Sequence, residues 1–226
     1  MNKETSIEQQ PLSVLLHSRS VLEGEQSVAT GVLSYLEGFL MDIELSEYEQ
    51  FQLGEKVKVT MYSPAGVHNF TTKIVARHQG SLMLVHPPHE QQKFNEKREY
   101  PRIAIRKHGF ITSYSNEDGD MVKAPSPIPI HLMDISMKGI GFTISEAAVL
   151  QSALDVGSMT HAELHLGMEL PCTIRLVHDR QQANERFFGA TIEYMEEDAA
   201  RSLQAFILSQ QIHTYIENKS KQSRRS

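Results

Sequence analysis

The chain reads as mainly β, built from two small antiparallel β-domains in succession with a helix at the C-terminal end. Three observations carry that reading. Val57, Val59 and Met61 alternate with Lys56, Lys58 and Thr60, the period of a strand with one buried face. Turn-forming residues recur at short intervals, in Leu53-Gly54-Glu55, Ser63-Pro64-Ala65-Gly66 and Gln79-Gly80. A stiff, polar stretch, His86-Pro87-Pro88-His89-Glu90-Gln91-Gln92-Lys93, then breaks the pattern before a second series of strands begins.

The first domain is expected over 12–90. Its short β-like runs are GVLSYLEG, FLMDIEL, EKVKVTMY, FTTKIVAR and SLMLVH, which suit a small antiparallel barrel or sandwich. The second is expected over 91–218, with strands near 103–113 and 128–134, a turn-rich DISMKGIG, and further strands in FTIS, HAELHLGM, CTIRLVHD and FFGATIEY. An amphipathic helix should start near Asp198 as cap and run to about Tyr215, burying Leu203, Phe206, Ile207 and Tyr215 or Ile216. Residues 1–11 and 219–226 are polar and without periodicity, and are expected to be disordered.

Composition narrows the function. A net charge of -6 over 226 residues argues against a surface that coats DNA, so an anion site must be local. The single cysteine, Cys172, leaves no internal disulfide and no multi-cysteine metal site. The N-terminal MNKETSIEQQPLSVLLHS carries neither a leader pattern nor a membrane span, and a cytoplasmic location is expected. There is no nucleophile elbow, phosphate loop or dinucleotide fingerprint, and no partner for Cys172 as a nucleophile, so no catalysis is expected. His161, Glu163 and His165 alternate along one strand, a spacing that begins a metal site only if a neighbouring strand supplies further ligands; no metal is expected.

Two motifs stand in order around the first strands of the second domain: Arg98-Glu99-Tyr100-Pro101-Arg102, and Asp134-Ile135-Ser136-Met137-Lys138-Gly139. RxxxR arises by chance in about one of two chains of this length and DxSxxG in about one of twenty, so the second motif and the fixed order give the pair its weight. Together they resemble the PilZ family of cyclic di-GMP receptors, over roughly residues 94–216. Phe188-Gly189-Ala190-Thr191-Ile192-Glu193-Tyr194 is similar to a late strand of that family, and the preceding β-domain is similar in pattern to the two-domain flagellar brake group.

The resemblance implies a six-stranded barrel with one ligand site and no cofactor. It implies roles for Arg98, Arg102, Asp134, Ser136, Gly139 and Gly189, with Lys97 at a variable position that affects whether one or two ligand molecules are held. The residue types fit the ligand's chemistry. A guanidinium fork pairs with phosphate or with guanine O6 and N7, and its flat face stacks on a base. The Asp134 carboxylate can accept from the N1 and N2 hydrogens of guanine. Ser136 can donate or accept in the same turn, and Gly139 permits a positive φ or lets the backbone approach a flat base without a Cβ in the way. Pro101 biases Tyr100 toward extended backbone, presenting the arginines from a stretched segment.

By resemblance, the protein is a ligand-operated adaptor that changes its interdomain arrangement and lowers motility through flagellar motor or switch proteins, at the basal body, as monomer or homodimer. Control of exopolysaccharide or virulence would use the same receptor. A PilZ-fold interaction module that has lost nucleotide binding, and a single-stranded nucleic-acid binder, are the competing classes; the intact motifs oppose the first and the acidic balance the second.

Overall fold

A computed structural model describes residues 11–91, 94, 100–116, 118–145, 147, 154–182 and 185–223; Lys97 and Arg98 lie outside them. The chain divides into two compact units, one running to Pro101 and resumed from Gln211, the other Arg102–Gln210.

The first unit is a closed barrel of six antiparallel strands. In chain order these are β1 (Arg19–Glu23), β2 (Val28–Glu37), β3 (Leu40–Glu44), β4 (Lys56–Ser63), β5 (Gly66–His78) and β6 (Ser81–Val85). Around the barrel the order is β1-β2-β3-β6-β5-β4, and β4 pairs back onto β1. Closure removes unpaired edges, and alternation along each strand fills the interior. The pattern expected at 56–61 holds, with Val57, Val59 and Met61 buried and Lys56 and Lys58 exposed. Gln79 and Gly80 both take positive φ, 41° and 82°, the geometry a two-residue hairpin needs between His78 and Ser81.

A short helix, α1 (Pro88–Gln91), follows the diproline. Just before it, His86 is almost fully buried, its Nδ1 3.3 Å from the Gly38 carbonyl, which accepts from it. Tyr100 packs its ring 5.9 Å from Phe39. Gly38 has φ +53°, and a Cβ there would stand 2.4 Å from Pro101 Cγ, so the β2–β3 turn has no room for a side chain.

The second unit is another closed six-stranded barrel, of β7 (Ile103–Ser115), β8 (Met121–Ser136), β9 (Gly139–Ser145), β10 (Met159–His165), β11 (Glu169–Gln182) and β12 (Glu185–Met195). The order is β10-β11-β12-β9-β8-β7, closed by β7 on β10. Its interior centres on Ile130, Ile135, Ile140, Phe142, Leu176 and Phe188, with Phe142 and Phe188 in register and stacked at 5.9 Å.

Helix α2 (Glu197–Ser223) is longer at both ends than expected. It begins one residue before Asp198, which stands in its first turn and pairs with Arg201 at 2.7 Å. Leu203, Phe206 and Ile207 are buried as the spacing predicts. The expected loose tail instead continues the helix through Ser223, and a buried charge explains why. Asp42, on β3, is 0% exposed. Its Oδ2 accepts from Ser34 Oγ at 3.1 Å, Tyr215 Oη at 2.8 Å and Lys219 Nζ at 3.1 Å. Burial opposes the charge on Lys219, but Asp42 outweighs it and its pKa lies above the ordinary value. Burial, reinforced by Asp42, pushes the Tyr215 hydroxyl up to about 12, so it stays a donor. Gln211 Nε2 adds a bond to the Glu37 carbonyl at 3.0 Å. Among the described residues, no helix is long and apolar enough to cross a membrane.

Lys219→Met should destabilise the first unit by about 3 kcal/mol, because it strands a buried carboxylate, and Asp42→Asn in the same chain should recover much of that loss; urea unfolding of both variants measures it. Desolvation lowers the His86 pKa to about 4, only partly countered by the Gly38 carbonyl. The unfolded chain therefore takes up this proton at higher pH than the folded one, so stability should fall as pH drops from about 6.5 towards 4, by up to about 3 kcal/mol. A His86→Gln chain should lack that component in a pH series of unfolding midpoints.

Candidate functional site

The β8–β9 connection carries the second motif. β8 ends at Ser136, Met137 and Lys138 make the turn, and Gly139 opens β9 directly opposite Ser136. Ser136 is buried, and its Oγ donates to the Gly139 carbonyl at 3.3 Å, so the hydroxyl braces the turn. Gly139 does not take a positive φ. It is required by close approach: a Cβ there would lie 2.8 Å from the Ala190 carbonyl oxygen on β12. The Ile192 amide donates to the Lys138 carbonyl at 3.0 Å, tying the same turn to β12.

Asp134 stands two residues before Ser136, with its side chain one-quarter exposed. Register places it in a cross-strand row running Ala104, Asp134, Gly141, Gly189, His178 over β7, β8, β9, β12 and β11. Strands lie about 4.8 Å apart, so Asp134 to Gly189 spans about 10 Å. Gly141 and Gly189 stand side by side there, both buried. A Cβ on Gly141 would fall 2.5 Å from Asp134 Oδ2 and 3.0 Å from Phe187 Cζ, so the carboxylate and the phenyl ring occupy the space a side chain would take. A Cβ on Gly189 would meet only His178 Cβ, at 3.6 Å. The guanidinium of Arg180 lies 5.8 Å over the Phe187 ring.

Arg102 approaches this row from the segment before β7, its Nη1 3.7 Å from Asp134 Oδ1. That separation is an ion pair and not a hydrogen bond, and at 43% exposure of the arginine it contributes at most about 1 kcal/mol. Both groups keep capacity for another partner. Asp134 Oδ1 is sealed from water and accepts no hydrogen bond among the described residues. The arrangement offers one guanidinium, one carboxylate with free acceptor capacity and an aromatic edge beside two glycines. A planar base with donors on its edge and an attached anion matches that set.

Of the residues expected from sequence, Arg102, Asp134 and Gly189 share this face, while Ser136 and Gly139 build the turn beneath it. Lys97 and Arg98 fall outside the described residues. Sequence reading passed over Gly141, Phe187 and Arg180. The Gly-Ile-Gly of residues 139–141 was the available signal, since a second glycine inside a strand marks a close approach. Cys172 is buried on β11, and desolvation pushes its thiol up to about 12, leaving it no thiolate at neutral pH.

No family model matches the chain, and no curated protein matches it. Solved structures do. The Bacillus subtilis inhibitor of motility MotI/DgrA is 13% identical, covering 88% of this chain and 98% of its own, with a TM-score of 0.43. YcgR from Escherichia coli, in complex with c-di-GMP, is 17% identical over 99% of both chains, with a TM-score of 0.40. The Borreliella burgdorferi PlzA protein in complex with c-di-GMP is 8% identical over 88% of this chain and 92% of its own, with a TM-score of 0.36. The functional reading rests on the residues and not on these superpositions.

Gly139→Ala should cost about 1–3 kcal/mol, because the atom it meets is backbone and cannot swing aside. Gly189→Ala, with ordinary contact distances, should change the unfolding midpoint far less. Thermal denaturation of the two variants side by side makes the comparison.

Proposed function

We propose that this protein is a PilZ-type receptor for cyclic di-GMP, and that the face around Asp134 reads a guanine of that ligand. The observation that carries the reading is the convergence of Arg102 and Asp134 beside the Gly141–Gly189 pair, the two motifs meeting at one surface. Asp134 accepts from the Watson–Crick edge of the base. Arg102 turns from its loose ion pair to a phosphate or to the Hoogsteen edge of guanine. Gly141 holds open the volume that the Asp134 carboxylate fills.

In this reading the protein is a regulator and not an enzyme: the site offers recognition groups without an activated nucleophile. Arg98 and Arg102 fall on either side of the point where the chain passes from one unit to the other. Ligand that prefers one state of this segment then biases how the units are held, because a ligand shifts an equilibrium only through differential affinity. The output we favour is reduced motility through contact with flagellar motor or switch proteins. Small-angle scattering that gives identical profiles with and without ligand would remove the coupling step and leave binding untouched.

Calorimetric titration with cyclic di-GMP, with GTP and cyclic di-AMP as controls, tests the reading and gives the stoichiometry. Binding should be selective for the guanine dinucleotide. Arg102→Ala and Asp134→Ala should each weaken it by about 1.5–3 kcal/mol, roughly tenfold to a hundredfold or more. Arg102→Lys should also weaken it, since a point charge cannot replace the fork. Gly141→Ala should fold and yet bind poorly, because the new methyl group pushes the Asp134 carboxylate out of place. Full affinity in the Arg102 and Asp134 variants would show that the site is elsewhere.

A further inference from the structure

A second constellation lies on the outer face of the second barrel. Across the β10–β11 hairpin His165 stands opposite Glu169, and across β10–β7 it stands opposite His108. Residues two apart on a strand share a face, so Glu163 stands beside His165. Its Oε1 is 2.6 Å from His165 Nε2. One ligand atom from each of Glu163, His165 and Glu169 lies within 4.8 Å of the others. The sequence shows His161, Glu163 and His165 on one strand, but a metal needs a donor from a neighbour, and register supplies it as Glu169. His161 is otherwise engaged, its Nδ1 3.0 Å from Ser113 Oγ.

The imidazole is also held in place. His108 stacks obliquely on His165 at 5.1 Å, and Phe110 meets it edge-on at 5.4 Å. A half-buried imidazole fixed by two rings on a rigid strand has already lost the rotamer freedom that makes an ordinary surface histidine a weak ligand. We propose that Glu163, His165 and Glu169 form a three-donor site for a divalent transition cation of the zinc class. One nitrogen and two carboxylate oxygens suit such an ion, whereas calcium and magnesium take oxygen-only shells. Tetrahedral bonds of about 2.0–2.2 Å put donors about 3.3–3.5 Å apart. The Glu163–His165 pair opens slightly to reach that spacing, and Glu169, exposed and flexible, closes on it. The fourth position stays open to water. The bound ion ties the two strands of the hairpin together.

Zinc titration calorimetry on the full chain tests this, with magnesium and calcium as comparisons and with His165→Ala, Glu169→Gln and His161→Ala as variants. The expected result is one zinc site absent from the magnesium and calcium isotherms. Its affinity should fall at least about tenfold in His165→Ala and in Glu169→Gln and be unchanged in His161→Ala. Zinc should also raise the thermal midpoint of the wild-type chain and not that of His165→Ala. Glu169→Gln changes an exposed side chain and keeps the test valid should His165→Ala fold poorly. Equal zinc isotherms for wild type and Glu169→Gln, or equal losses in His161→Ala and His165→Ala, would overturn the assignment.

Discussion

The turn between β8 and β9 is pressed against β12 by backbone alone, and the candidate site inherits its shape from that contact. With no Cβ at position 139, the chain at Lys138–Gly139 comes close enough for the Ile192 amide to reach the Lys138 carbonyl. Pairing of β9 with β12 then brings Gly141 level with Gly189, and pairing with β8 brings Asp134 level with Gly141. The candidate residues are thus placed by strand register, which one inserted or deleted residue would turn to the other side of the sheet.

Much of the architecture could be read from the chain because closed barrels depend on local signals. Alternation at Lys56–Met61 and turn residues at Gln79–Gly80 act over a few positions, and the barrel realises both. The end of α2 was the main surprise. Lys219 looks like a solvated tail residue in sequence, and its partners, the buried Asp42 with Glu44 and Ser81, all lie far away along the chain. A buried aspartate in FLMDIEL reads as one polar interruption in an apolar run, and nothing local says which cation will neutralise it.

The same division applies to the sites. Asp134 and Ser136 could be singled out because their motif is contiguous, and Arg102 because it closes the RxxxR motif at the entrance to the second domain. Gly139 could be singled out as a glycine but not its cause: the sequence suggested a positive φ or the approach of a flat base, whereas φ is not positive and a carbonyl on β12 leaves no room for a Cβ. Phe187 depends on the pairing of β12 with β9, distant parts of the chain that no local pattern joins. Gly141 and Glu169 face Asp134 and His165 across hairpins, and those pairs follow only once the length of each turn is fixed.

The first unit is completed only beyond the second, since residues from Gln211 onward belong to it. During synthesis the strands of that barrel emerge before Lys219, the cation that settles the charge of Asp42 from 177 positions further along. The barrel must wait, with one acidic group in its wall unanswered, until the whole of the second unit has been made. Truncation before Lys219 would therefore be felt first in the strands of residues 19–85.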